Sequence, residues 1–232
     1  MKQPIIFGHR GASAEEPENT LRAFKKAFLY GAGGIEFDVQ SCGSGEIVII
    51  HDQKVDRTSN GNGFVKDYSY QELLKFDFGK QEKIPLLEDV LKLYGNDYWL
   101  NIEIKEVGIE KQVFELLQKY SISKKTVVSS FHIPALKAMR KLDNEIEIAF
   151  LYDFNIDDLP SLLQEVNVNS IHPGKELINK EIISTAHELK LTIRSWTIDD
   201  TIMAKQFAIW GIDGIITNKP KEIIQRLQPK NS

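Results

Sequence analysis

Short apolar runs alternate with helix-period stretches along most of the chain. Ile5-Ile6-Phe7 forms the first run and ends in Gly8-His9-Arg10-Gly11, which reads as a buried strand and a glycine turn. Leu21, Phe24 and Phe28 then recur at helical spacing behind a cap at Asn19 or Thr20, and Gly31 stops the helix. From Gly34 the period changes to two. Ile35, Phe37 and Val39 fall on one face of a predicted strand, Glu36 and Asp38 on the other. The turn at Gly43-Ser44-Gly45 is too short for a parallel crossover, so Glu46 to His51 must return antiparallel. A turn centred near Gly43 and Ser44 brings His51 opposite Phe37, level with the two acids.

Residues 53–83 are polar and turn-rich, with one short helical stretch from Ser69 to Phe76. They read as an excursion that caps a site, not as a core layer. A helix follows from Pro85 to Gly95. Beyond it, strands near residues 102, 128, 149, 171, 194 and 215 alternate with helices, beginning at Glu110, Ile133, Asp157, Asn179, Asp199 and Lys221. Such alternation implies parallel strands joined by crossovers. With the strands near residues 6 and 36, eight strands can be mutually parallel. The predicted fold is α/β: a (β/α)8 or TIM barrel, one domain over 1–232, with a small insertion after strand two at about 52–83. The alternative is an open doubly wound sheet, which fits less well because no glycine-rich nucleotide loop follows the first strand.

Composition narrows the class of protein. The chain has 232 residues, 42% hydrophobic and 27% charged, enough for a sizeable core. A net charge of −4 argues against a nucleic-acid surface. Cys42 is the single cysteine, so no intrachain disulfide forms, which fits a reducing compartment. No run approaches the ~18 apolar residues of a membrane span, and the first apolar run is too short for a signal peptide. A cytoplasmic protein without stable membrane insertion is expected.

In a barrel of this kind chemistry gathers at the C-terminal strand ends. Strand one ends at His9-Arg10, strand two carries Glu36 and Asp38, and Asn101, Glu103 and Lys105 share one face of strand three. Three carboxylates offer the hard oxygen ligands that Mg²⁺ or Ca²⁺ takes. Structural zinc is disfavoured by one cysteine and the lack of paired histidine spacing. Arg10 and Lys105 suit phosphate oxygens, and His9 and His51 suit proton transfer near neutral pH. Cleavage of a phosphate ester with a poor leaving group needs all three functions. His132 and His172 stand at strand ends, each as compatible with the mouth as with a loop; His187 reads as surface. Trp196 reads as a pocket wall, Trp99 and Trp210 as packing.

These residues resemble the glycerophosphodiester phosphodiesterase family. The resemblance is carried by His9-Arg10-Gly11 leading to Pro17-Glu18-Asn19-Thr20, by Glu36-Phe37-Asp38-Val39-Gln40, by Ile49-Ile50-His51-Asp52 and by Asn101-Ile102-Glu103-Ile104-Lys105. Asp56-Arg57-Thr58, Trp196-Thr197 and Gly214 to Pro220 extend it over nearly the whole chain. It implies a divalent metal on Glu36, Asp38 and Glu103, an acid–base pair in His9 and His51, and Arg10 and Lys105 on the phosphate. It implies a glycerophosphodiester substrate cleaved to glycerol 3-phosphate and an alcohol. The glycerol 2-hydroxyl would attack phosphorus, and water would open the cyclic phosphate. A lysophospholipase D-like or sphingomyelinase D-like activity on the same site is the alternative within the enzymes, and a non-catalytic phosphate-binding module the alternative outside them. The chain departs from the family pattern at Cys42-Gly43-Ser44-Gly45, at Leu86, at Asp199 where Asn is common and at Asn218 where Asp is frequent.

Overall fold

The computed structural model describes residues 3–122, 124–156 and 159–228. Strand β1 (Ile5–His9) leads into α1 (Leu21–Leu29), then β2 (Gly34–Ser41) and the short β3 (Ile47–Ile49). Two small helices follow, α2 (Tyr70–Leu73) and α3 (Leu87–Tyr94). The chain then alternates strictly: β4 (Trp99–Ile104), α4 (Glu110–Lys119), β5 (Thr126–Ser130), α5 (Ile133–Leu142), β6 (Glu147–Tyr152), α6 (Leu159–Val166), β7 (Ser170–Pro173), α7 (Lys180–Glu188), β8 (Thr192–Ser195), α8 (Thr201–Trp210), β9 (Gly214–Thr217) and α9 (Pro220–Leu227). The helix expected from Asp157 is present as α6; its first two expected residues lie outside the described residues.

Eight strands are parallel, and β1 pairs with both β2 and β9, which closes them into a barrel. β3 hangs on β2 as its antiparallel partner, with Val39 opposite Ile49. Continued two residues, that register sets His51 level with Phe37, as the turn length implied. The main apolar core lies between strands and helices. Ile35, Phe37, Val39, Leu100, Ile102 and Ile104 meet Phe24, Val90, Leu91 and Val113 there. The alternate residues of β2 and β4 therefore face the barrel interior.

Helix starts follow their sequence signals. The Thr20 side chain accepts from Ala23 N, so Thr20, not Asn19, caps α1. Ser69 and Glu72 form a capping box on α2.

Residues 53–83 differ from expectation in one respect. They do not enter the main core, but they build a second one. Val55, Val65, Leu73 and Phe78 bury together with Ile84 just beyond them and with Cys42, Val48 and Ile50 of the hairpin. Their apolar residues are too scattered for either period, because turns rather than regular elements bring them together.

Candidate active site

Register in the barrel wall assembles the site. His9 pairs with Glu36, Glu36 with Asn101, and Asp38 with Glu103. One carboxylate oxygen from each of Glu36, Asp38 and Glu103 lies within 4.8 Å of the others. All three are buried, at 4%, 1% and 8% exposure. Burial, with Asp38 and Glu103 adding to it, pushes the Glu36 carboxyl well above its ordinary value. Burial and then Asp38 push Glu103 up to about 7. Such a cluster is costly unless a cation sits among the oxygens. Oδ1 of Asp38 is buried with no hydrogen-bond partner. An orphaned acceptor and an all-carboxylate donor set fit a hard divalent ion, so these residues can hold one.

Two fixed cations flank the acids. Lys105 Nζ lies 2.6 Å from Glu103 and 3.7 Å from Asp38. Burial pulls the Lys105 ammonium down, but Glu103 and Asp38 outweigh it and raise it above its ordinary value. Arg10 Nε lies 3.2 Å from Asp38, and its Nη1 donates to Glu18 at 2.8 Å. Arg10 adopts φ 53°, the left-handed region that non-glycine residues rarely occupy. Its amide faces the Glu36 carbonyl at 2.8 Å, and its carbonyl accepts from Asn19 N at 3.0 Å. That strained turn, at a cost of about 1–3 kcal/mol, aims the guanidinium inward. Asn19, itself at φ 58°, donates to Asp38 Oδ2 at 2.9 Å.

The histidines are held from behind. His9 Nδ1 lies 2.7 Å from Asn218 Oδ1, and its Nε2 is 3.8 Å from Glu36. Burial, and then Arg10, lower the His9 imidazole below its ordinary value. His51 Nδ1 lies 2.6 Å from Asp52 Oδ1. Gln40 fixes the backbone there, its amide reaching the carbonyls of Ile50, His51 and Asp52 at 3.0, 2.9 and 2.9 Å.

His9, Arg10, Glu36, His51, Glu103, Lys105 and Trp196 line one cleft of about 140 Å³. The structure thus brings together seven of the eight singled-out residues, and the eighth, Asp38, lies beneath, in contact with Arg10 and Lys105. Asn101, Ser129, Phe131, Leu151 and Ile216 complete the lining. Trp196 stands edge-on to Phe131, centroids 5.5 Å apart, its Nε1 donating to the His172 carbonyl at 2.8 Å. His172 itself does not line the cleft. It is fully buried in the interior, 3.4 Å from the Arg194 guanidinium that packs over Phe7 and Trp99. His132 is exposed beside the Lys105 carbonyl, and His187 pairs with Asp213 on the surface.

Sequence reasoning gave no role to Glu18, Asp52, Arg57, Asp199 or Asn218. Arg57, in the insertion, donates to both Glu18 oxygens and to both Asp52 oxygens. Glu18 in turn holds Arg10, and Asp52 holds His51. The motif matches at Glu18 and Asp56-Arg57-Thr58 were the available signal; nothing in their spacing paired them.

The chain is similar to known proteins over nearly its whole length. The Glycerophosphoryl diester phosphodiesterase family matches residues 9–222. A glycerophosphodiester phosphodiesterase of Caldanaerobacter subterraneus subsp. tengcongensis is 35% identical over 95% of this chain and 96% of its own. One from Bacillus altitudinis is 36% identical over the same shares. The structure of an Oleispira antarctica phosphodiesterase in complex with its product sn-glycerol-3-phosphate superposes with a TM-score of 0.88 at 26% identity, covering 97% of each chain. The barrel, its acidic strand ends and these matches give one conclusion: the chain belongs to the glycerophosphoryl diester phosphodiesterase family and is an enzyme of it.

Proposed function

We propose that the chain hydrolyses small glycerophosphodiesters, such as glycerophosphocholine and glycerophosphoethanolamine, to glycerol 3-phosphate and the free alcohol. One observation carries the reading: three buried carboxylates converge within 4.8 Å beside two histidines, each tied at Nδ1. Glu36, Asp38 and Glu103 would hold Mg²⁺ or Ca²⁺. When bound, such an ion supplies positive charge to a phosphoryl oxygen. Arg10 and Lys105 supply the rest, since both already face the acids and can share their charge with a phosphate. The Trp196–Phe131 corner gives the substrate an apolar wall.

In the first half-reaction the glycerol 2-hydroxyl attacks phosphorus and the alcohol leaves. One histidine takes the hydroxyl proton and the other gives a proton to the leaving oxygen. In the second, water opens the cyclic phosphate and the two histidines exchange roles. His9 is the base of the first half, because burial beside Arg10 keeps it neutral; His51 is then the acid. Asp52 orients His51, and Arg57 holds Asp52 in place. The barrel and its insertion at about 52–83 act as one domain, and the insertion caps the mouth through Arg57.

The test is product identity. Purified protein with Mg²⁺ or Ca²⁺ is given glycerophosphocholine and, separately, lysophosphatidylcholine. Release of glycerol 3-phosphate and choline from the first is the expected outcome. Turnover of the lysolipid alone would contradict it and favour a lysophospholipase D-like activity.

A further inference from the structure

The two departures of this chain at positions 199 and 218 touch each other. Asn218 Nδ2 donates to Asp199 Oδ2 at 2.7 Å. The other Asp199 oxygen accepts from Asn218 N at 2.8 Å and from Thr217 Oγ1 at 2.9 Å. An ionised carboxylate accepts only. Asp199 therefore demands the nitrogen end of the Asn218 amide, and the oxygen end must turn the other way. There it meets His9 Nδ1 at 2.7 Å and Ser13 Oγ at 2.7 Å. Ser13 Oγ is also 2.7 Å from the His9 carbonyl, so its single proton is shared between that carbonyl and the amide oxygen. An amide oxygen cannot donate, so the proton of this hydrogen bond belongs to His9 Nδ1.

We propose that Asp199, acting through Asn218, is a positioning residue that sets the tautomer of His9. Neutral His9 carries its proton on Nδ1 and presents a bare Nε2 to the cleft, beside Glu36. Asp199 does this without touching His9, by fixing which end of one amide the imidazole meets. The proposal deepens the reading of His9 as a proton-transfer group and rests on it.

The charge arrangement predicts how substitutions at the pair interact. Asp199→Asn sets one amide nitrogen against another. Asn218 then turns over, offers its nitrogen to His9, and forces the imidazole into the other tautomer. Asn218→Asp sets two carboxylates 2.7 Å apart in the place of one hydrogen bond. The double exchange, Asp199→Asn with Asn218→Asp, restores every donor and acceptor. Asn at 199 donates to Asp at 218, which still accepts from His9 Nδ1 and Ser13.

The experiment is long-range ¹H–¹⁵N NMR of the five histidine rings in the metal-loaded protein, above the pH where His9 takes a second proton. The His9 signals are assigned by their loss in His9→Ala. Wild type is expected to show His9 protonated at Nδ1 and bare at Nε2, and Asp199→Asn to show the reverse. In kinetics on glycerophosphocholine each single variant should lose about 10²-fold in kcat with KM nearly unchanged. The double exchange should recover at least tenfold of that loss. A wild-type His9 protonated at Nε2 overturns the proposal, whatever the Asp199 and Asn218 variants do, and needs neither of them to fold. So does an Asp199→Asn protein that keeps both tautomer and kcat while losing only thermal stability. Failure of the catalytic reading looks different: His9→Ala would keep full rate while the tautomer result stood.

Discussion

Nδ1 of His51 lies 2.6 Å from Oδ1 of Asp52, whose carboxylate also takes two hydrogen bonds from Arg57, from Nε at 2.7 Å and from Nη2 at 3.0 Å. Arg57 holds the Asp52 carboxyl well below the usual range, against the opposing effect of burial. Asp52 is thus a fixed, ionised acceptor behind the ring. Asp52→Asn should keep the fold and lower kcat on glycerophosphocholine by about 10²-fold, a large part of what one acid–base group contributes. Arg57→Ala should cost about tenfold, since it frees Asp52 and Glu18 without removing either. Steady-state kinetics on variants checked by circular dichroism decide this. Wild-type kcat in both would show that His51 needs no support.

The two histidines should separate by leaving group. His9→Ala and His51→Ala should each lose about 10²- to 10⁴-fold on glycerophosphocholine. A nitrophenyl ester leaves without a proton, so with it His51→Ala should approach wild type while His9→Ala stays slow. The reverse pattern would exchange the two roles. A loss below about threefold in both on the natural ester, under ~1 kcal/mol of barrier, would remove the acid–base pair altogether.

The acid cluster makes metal-free stability depend on pH in an unusual direction. The folded protein lifts Glu103 from 4.5 to about 7, and Glu36 is raised as well. Between those values the folded state binds more protons than the unfolded state, so stability falls as pH rises. The depressed carboxyls of Glu16 and Glu18, both at about 2, act in the opposite sense below that window, and the lowered imidazoles of buried His9 and His172 oppose it within the window. Urea melts in excess chelator should therefore show, as the difference between wild type and Glu103→Gln, a carboxyl contribution that declines from about pH 4.5 to pH 7. A difference that stays flat or rises across this window would contradict the raised Glu103 carboxyl.

What the sequence made legible follows from periodicity. Residues two apart on a strand share a face, so Glu36 with Asp38, and Asn101, Glu103 and Lys105, were readable as inward sets. The hairpin turn fixed the register that brings His51 beside them. Contacts between loops have no such period. His9 and Asn218 are 209 residues apart, and only closure of β1 on β9 makes them neighbours. Arg57 reaches Glu18 across 39 residues by way of an insertion with no regular register. The second core under the insertion was hidden for the same reason. His172 was ambiguous because a strand-end histidine is the same in sequence whether it meets solvent or, as here, Arg194.

Glu36, Asp38 and Glu103 are proposed to hold a divalent ion that turnover requires. The rate of glycerol 3-phosphate release from glycerophosphocholine by chelator-treated protein, before and after Mg²⁺ or Ca²⁺ is added, decides this. No measurable release before addition and full recovery after it are predicted, with Glu36→Ala failing to recover. Undiminished release in excess chelator, from protein shown by elemental analysis to carry no metal, would contradict it.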